Sequence, residues 1–113
     1  MFNLFKKKAM NYQNIDVQKF EELMKTEDAV VLDVRSPGEL AEGSIPGHIM
    51  INFFEPGFKD KIAQLDKSKT YLVYCRSGNR SGQACALMAS LGFEKLYNLV
   101  GGIGAWNAAH VTS

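Results

Sequence analysis

The chain has 113 residues, 46% hydrophobic and 22% charged, with a net charge of +1, the size and composition of one soluble domain. That charge sets up no whole-domain field to draw nucleic acid, and no run approaches the ~20 apolar residues of a membrane span. Two cysteines make no disulfide framework, and His48 and His110 have no ligand companions at metal-binding spacing, so neither a metal nor another cofactor is expected.

Residues 1–10 read as a flexible tail and residues 11–113 as a single domain. In the tail, Phe2, Leu4 and Phe5 come before Lys6–Lys8, the reverse of a secretory signal, and a cytoplasmic location is expected. A solvated, frayed end is favoured over a weak lipid anchor, for which the segment is short. Asp16 is an N-cap, and Val17, Phe20, Leu23 and Met24 follow it at helical spacing. Residues 29–34 form a continuous apolar run, as in a strand buried on both faces. Ser36-Pro37-Gly38 is turn chemistry. Residues 39–42 suit a short helical turn stopped by Gly43. Residues 48–53 read as a second strand, and Phe58, Ile62 and Leu65 as one face of a short helix. Residues 70–74 are the best strand in the chain. A polar loop follows, then a helix from about residues 79–81, with Ala84, Leu87, Met88 and Leu91 as its apolar stripe and Gly92 as its stop. Residues 96–100 form a last strand, and a Gly-Gly turn leads to a helix over 103–109. Alternating strands and helices predict an α/β domain with a mostly parallel sheet of about five strands and helices on both faces.

In such sheets, ligands bind beyond the carboxyl ends of the strands. Cys75 sits at such an end, in Cys75-Arg76-Ser77-Gly78-Asn79-Arg80-Ser81. A strand-to-helix turn directs several backbone N–H groups into one concavity, and the helix N-terminus adds roughly half a positive charge. Arg76 and Arg80 bring two permanent cations, and Gly78 admits the positive φ of a tight loop. A thiol at Cys75 should therefore ionise below the free value of ~8.5. The thiolate is the nucleophile. Taken alone, a cysteine at a strand end is more often inert core. The polar, cationic residues that follow it are not explained by that reading.

These residues carry a resemblance. Cys75–Ser81 is similar to the active-site loop of single-domain rhodaneses. Leu32-Asp33-Val34-Arg35 with Glu39 and Gly43-Ser44-Ile45-Pro46-Gly47 resembles the family's first motif, and Leu99-Val100-Gly101-Gly102 with Trp106 its closing one. The resemblance implies a central parallel sheet, a Cys75 persulfide and ping-pong sulfur transfer from a small anionic donor such as thiosulfate to cyanide or a thiol. A thioredoxin-like or sulfur-carrier protein is the kind of protein partner it implies. Residues 76–81 would bind the donor and cradle the sulfur. Ser44 stands where the family commonly has histidine, and His48 follows Pro46-Gly47. Phosphatases of the same fold have a loop one residue longer, whereas here four residues separate Cys75 from Arg80. A shorter cradle suits one sulfur atom better than a phosphoryl group. A slow or non-catalytic module that binds a sulfur carrier or senses persulfide is the alternative on the same fold.

Elsewhere the plainer reading is preferred. Asp33 and Arg35 are expected to form buried polar contacts that hold neighbouring loops, with Glu39 among their partners, rather than to catalyse. Cys85 lies about five residues into the helix, roughly 7 Å of rise, and is expected in the core. Trp106 is expected to anchor the last helix rather than to cover the site. Gly101, Gly102 and Gly104 lack dinucleotide-binding spacing and suit a tight turn with close backbone approach.

Overall fold

The computed structural model describes residues 11–111; the expected tail over 1–10 lies outside them. The strands are β1 (Gln13–Ile15), β2 (Ala29–Asp33), β3 (Ile49–Met50), β4 (Thr70–Tyr74) and β5 (Lys95–Leu99). They form one sheet in the order β1-β5-β4-β2-β3, and every neighbouring pair is parallel. The helices are α1 (Val17–Leu23), α2 (Phe58–Ala63), α3 (Asn79–Ser90) and α4 (Gly102–Ala109), with a 3-10 turn at Pro37–Glu42.

Alternation along the strands divides the core in two. Leu32, Tyr71, Val73, Cys75 and Leu96 join Phe58 and Ile62 of α2 and Ala84, Cys85 and Met88 of α3 on one face. Val31, Leu72, Tyr74 and Leu99 join Phe20 of α1 and Ile103 and Trp106 of α4 on the other. All five residues of β4 are buried, as expected of a central strand covered on both faces. Cys75 keeps the parity of Tyr71 and Val73, which sets it on the α2/α3 face. Trp106 packs edge-on to Phe20 with ring centroids 6.3 Å apart, so it anchors α4 to α1 on the opposite face.

The ends of the elements follow local chemistry. Asp16 caps α1, accepting from the Lys19 N–H at 2.9 Å. Gly92 takes φ 101° where α3 stops. Two expectations are corrected. β1 is a strand the sequence reading lacks; it is three residues long and only Ile15 is buried. The strand expected over residues 48–53 is paired only at Ile49 and Met50. Asn52 ends it by accepting the Phe54 N–H at 2.9 Å and turning the chain.

Between β2 and the 3-10 turn lies a fully buried ion pair. Arg35 Nη2 is 2.8 Å from Asp33 Oδ2, and both side chains are wholly shielded from solvent. The Tyr74 hydroxyl donates to Asp33 Oδ2 at 2.8 Å and accepts from the Ile45 N–H at 3.1 Å. Arg35 also donates to the carbonyls of Glu39 at 3.1 Å and Gly43 at 2.8 Å. One guanidinium therefore grips both ends of the turn that carries Glu39. Burial works against the Arg35 charge; Asp33 beside it outweighs that and raises its pKa further.

Candidate active site

β2 and β4 are neighbours whose chains diverge: β2 continues to β3 at one edge, β4 to β5 on the other side. Such a point opens a crevice at the carboxyl ends of the strands. The loop after β4 holds Cys75, and the loop after β2 holds Glu39.

Cys75 is completely buried as a residue. Its Sγ accepts from the Gly78 N–H at 3.1 Å and from the Ser81 hydroxyl at 3.3 Å. Burial pushes the thiol up. The Ser81 hydroxyl and the N–H groups of Ser81, Gly78 and Ser77 outweigh it, and the net shift is downward. Donors fixed in the loop thus favour the thiolate form of this sulfur. Gly78 makes the turn possible, with φ 103° directly before α3.

The loop residues divide by position. Arg76 is exposed and lies 3.7 Å from Glu42, a loose contact. Ser77 and Asn79 are exposed, and Asn79 accepts from the Gln83 side chain at 2.8 Å. Ser81 is buried against the sulfur. The expectation of two available cations is corrected at Arg80. Its terminal nitrogens reach both Glu39 oxygens, at 2.8 and 2.7 Å, and the Phe54 ring lies 5.2 Å from its guanidinium carbon. Arg80 lowers the Glu39 pKa to about 2, against a smaller upward effect of burial, and Ser36 adds its N–H and hydroxyl to the same carboxylate. The Arg80–Glu39 pair locks the two loops together, and Arg76 is the more available cation.

Three residues on the same assembly were not singled out as site residues from sequence: Glu39, Asn98 and Gly102. Asn98, on β5, accepts from Ser81 and donates to the Gly78 carbonyl at 3.1 Å. Its signal was a polar residue within an apolar strand. Gly102 has φ 57°, and a β-carbon there would overlap the carbonyl groups of Cys75 and Arg76. The next N–H, of Ile103, donates to the Cys75 carbonyl at 2.9 Å. The closing turn is thus pressed directly against the Cys75 loop. Gly102→Ala is expected to cost on the order of 2–4 kcal/mol of stability and to slow sulfur loading; an unchanged urea midpoint would contradict this contact.

Cys85 is the other free cysteine. Burial, with the neighbouring Cys75 charge, pushes its thiol up to about 12. It is a buried residue of the core between α3 and the sheet. His48 Nδ1 lies 2.9 Å from the Ile45 carbonyl oxygen, and its ring stands edge-on to Tyr74 with centroids 6.5 Å apart.

A family model described as a rhodanese-like domain matches residues 16–109. A sulfurtransferase of Allochromatium vinosum is 37% identical over 86 residues, covering 76% of this chain and 78% of that protein. A thiosulfate sulfurtransferase of Coxiella burnetii is 32% identical over 104 residues, covering 92% and 95%. The crystal structure of a rhodanese-related protein from Thermoplasma volcanium superposes with a TM-score of 0.77 at 34% identity, covering 89% of this chain and 96% of that one. With its parallel sheet, its cysteine loop and these relatives, the chain belongs to the rhodanese-like domain family.

Proposed function

We propose that the protein transfers sulfane sulfur through a persulfide on Cys75, with thiosulfate or a polysulfide as donor and a thiol as acceptor. The observation that carries this reading is the set of donors on Cys75 Sγ, which favours a thiolate without a neighbouring base. In the first half-reaction the thiolate attacks the outer sulfur of thiosulfate. The S–S bond of the donor breaks, sulfite leaves with the electron pair, and Cys75 carries –S–S⁻. In the second, an acceptor thiolate attacks the outer sulfur and Cys75 returns as a thiolate. Cyanide in place of the thiol gives thiocyanate. No proton transfer is needed in either step, so the contribution of the loop is fixed electrostatics. Arg76 draws the anionic donor, and the N–H groups at the start of α3 hold the charge.

The relatives named as sulfurtransferases support this reading. A thioredoxin-like or sulfur-carrier protein fits the acceptor role, since its thiol supplies the same chemistry. The test is intact-mass spectrometry after brief exposure to thiosulfate, then cyanide. One added sulfur on Cys75, removed by cyanide, is the expected result. No addition with either thiosulfate or polysulfide overturns the enzyme reading and leaves a binding module.

A further inference from the structure

Ser81 on α3, Asn98 on β5 and Asn14 on β1 form a chain of hydrogen bonds leading away from Cys75. Ser81 Oγ is 3.3 Å from Cys75 Sγ and 2.5 Å from Asn98 Oδ1. Ser81 is fully buried and Asn98 nearly so. A hydroxyl has one proton to donate, while a thiolate and an amide oxygen only accept. The two contacts therefore compete for one proton.

The orientation of the Asn98 amide follows from its other bonds. Its Nδ2 donates to the Gly78 carbonyl at 3.1 Å and to Asn14 Oδ1 at 2.9 Å. A backbone carbonyl can only accept. Turning the amide over would set oxygen against oxygen at Gly78 and lose that bond. The amide oxygen is thus held toward Ser81.

We infer that Asn98 is a positioning residue for the transfer reaction: it offers the Ser81 hydroxyl a second acceptor, so the proton points to sulfur when Cys75 is a thiolate and to Asn98 when Cys75 is loaded. The thiolate is a strong acceptor. In Cys75–S–S⁻ the charge has moved one atom outward, and the inner sulfur is neutral and accepts weakly. Without Asn98 the buried hydroxyl would have no good acceptor in the loaded state, a cost comparable to an unmade buried hydrogen bond. With Asn98 the Ser81 hydroxyl has a good acceptor in both states and changes between them by a single bond rotation. The loaded half of this inference rests on the persulfide reading above; the half concerning free Cys75 does not.

A role limited to bracing the loop through Gly78 is the competing explanation, and a double-mutant cycle separates the two. The measurement is the pH dependence of Cys75 alkylation by iodoacetamide, with the modified site located by mass. Four proteins are compared: the parent, Asn98→Leu, Ser81→Ala and the double variant. Leucine keeps the branched shape of asparagine, and the Gly78 carbonyl retains its bond from the Gly82 N–H at 3.1 Å. Arg80 and Cys85, the ionisable groups that interact with the Cys75 charge, are common to all four.

Asn98→Leu is expected to lower the alkylation midpoint by about half a pH unit, because the Ser81 proton then goes wholly to sulfur. Ser81→Ala is expected to raise it by about one unit. In the Ser81→Ala background, Asn98→Leu adds no shift. An equal shift in both backgrounds, or none in either, overturns the inference. Asn98→Ala carries the same comparison should the leucine variant fail to fold. After polysulfide loading, Asn98→Leu should release its sulfur to cyanide about threefold faster; an unchanged rate overturns the loaded half. If the parent takes up no sulfur, the persulfide reading fails, while the alkylation cycle still decides the role of Asn98 on the free thiol.

Discussion

Cys75→Ser reduces thiocyanate formation from thiosulfate and cyanide to the uncatalysed rate and leaves the folded domain intact. Serine differs by one atom and meets the same two donors, the Gly78 N–H and the Ser81 hydroxyl. The stability change is therefore expected to stay within about 1 kcal/mol. The chemistry does not survive, because these donors lower the pKa of a thiol, ~8.5 when free, and cannot make an alkoxide of an alcohol. Cys85 is no substitute: it is buried, its thiol is pushed up to about 12, and it points into the packing of α3 on the sheet. Thiocyanate assay and urea denaturation on the same preparation check both halves. Turnover retained in the serine variant would place the nucleophile elsewhere and end the proposed mechanism.

Arg35→Leu produces the largest loss of stability, about 3–5 kcal/mol. The reason is less the lost attraction than what stays behind. Asp33 would remain fully buried, holding only the Tyr74 hydroxyl and the residue-35 N–H as donors. An uncompensated carboxylate there is costly. The same change frees the carbonyls of Glu39 and Gly43, so the turn bearing Glu39 loosens and its pair with Arg80 goes with it. Replacing Asp33 and Arg35 together by apolar residues should cost less than the single change, because no buried charge is stranded. Urea midpoints of the two variants measure this. A single variant within about 1 kcal/mol of the parent would mean that water reaches Asp33.

The fold was legible where burial is complete and periodicity therefore clean. The apolar run of β2, the unbroken β4 and the stripe of α3 are such places, and the place of Cys75 at a strand end before a helix follows from them. β1 was not legible, because an edge strand of three residues with one buried side chain has no period to read. β3 was read too long for the related reason that Asn52, a turn residue, looked like part of a strand. In the site, local features could be read: Gly78, the cationic loop, the helix start. Contacts across the chain could not. Glu39 and Arg80 are 41 positions apart, and no local pattern tells an arginine that faces a donor from one already held by a carboxylate. Asn98 and Gly102 meet the loop only because β5 lies beside β4.

That neighbourhood carries a consequence for how the protein is made. The groups that fix the Cys75 loop from outside it, Asn98 and the Gly102–Ile103 turn, leave the ribosome after the cysteine does. While the chain is still growing, the loop lacks the bonds that Asn98 and the Ile103 N–H give it. The complete frame around Cys75 therefore requires the last strand and turn to have docked, so the geometry of the loop depends on a part of the sheet that lies far along the chain.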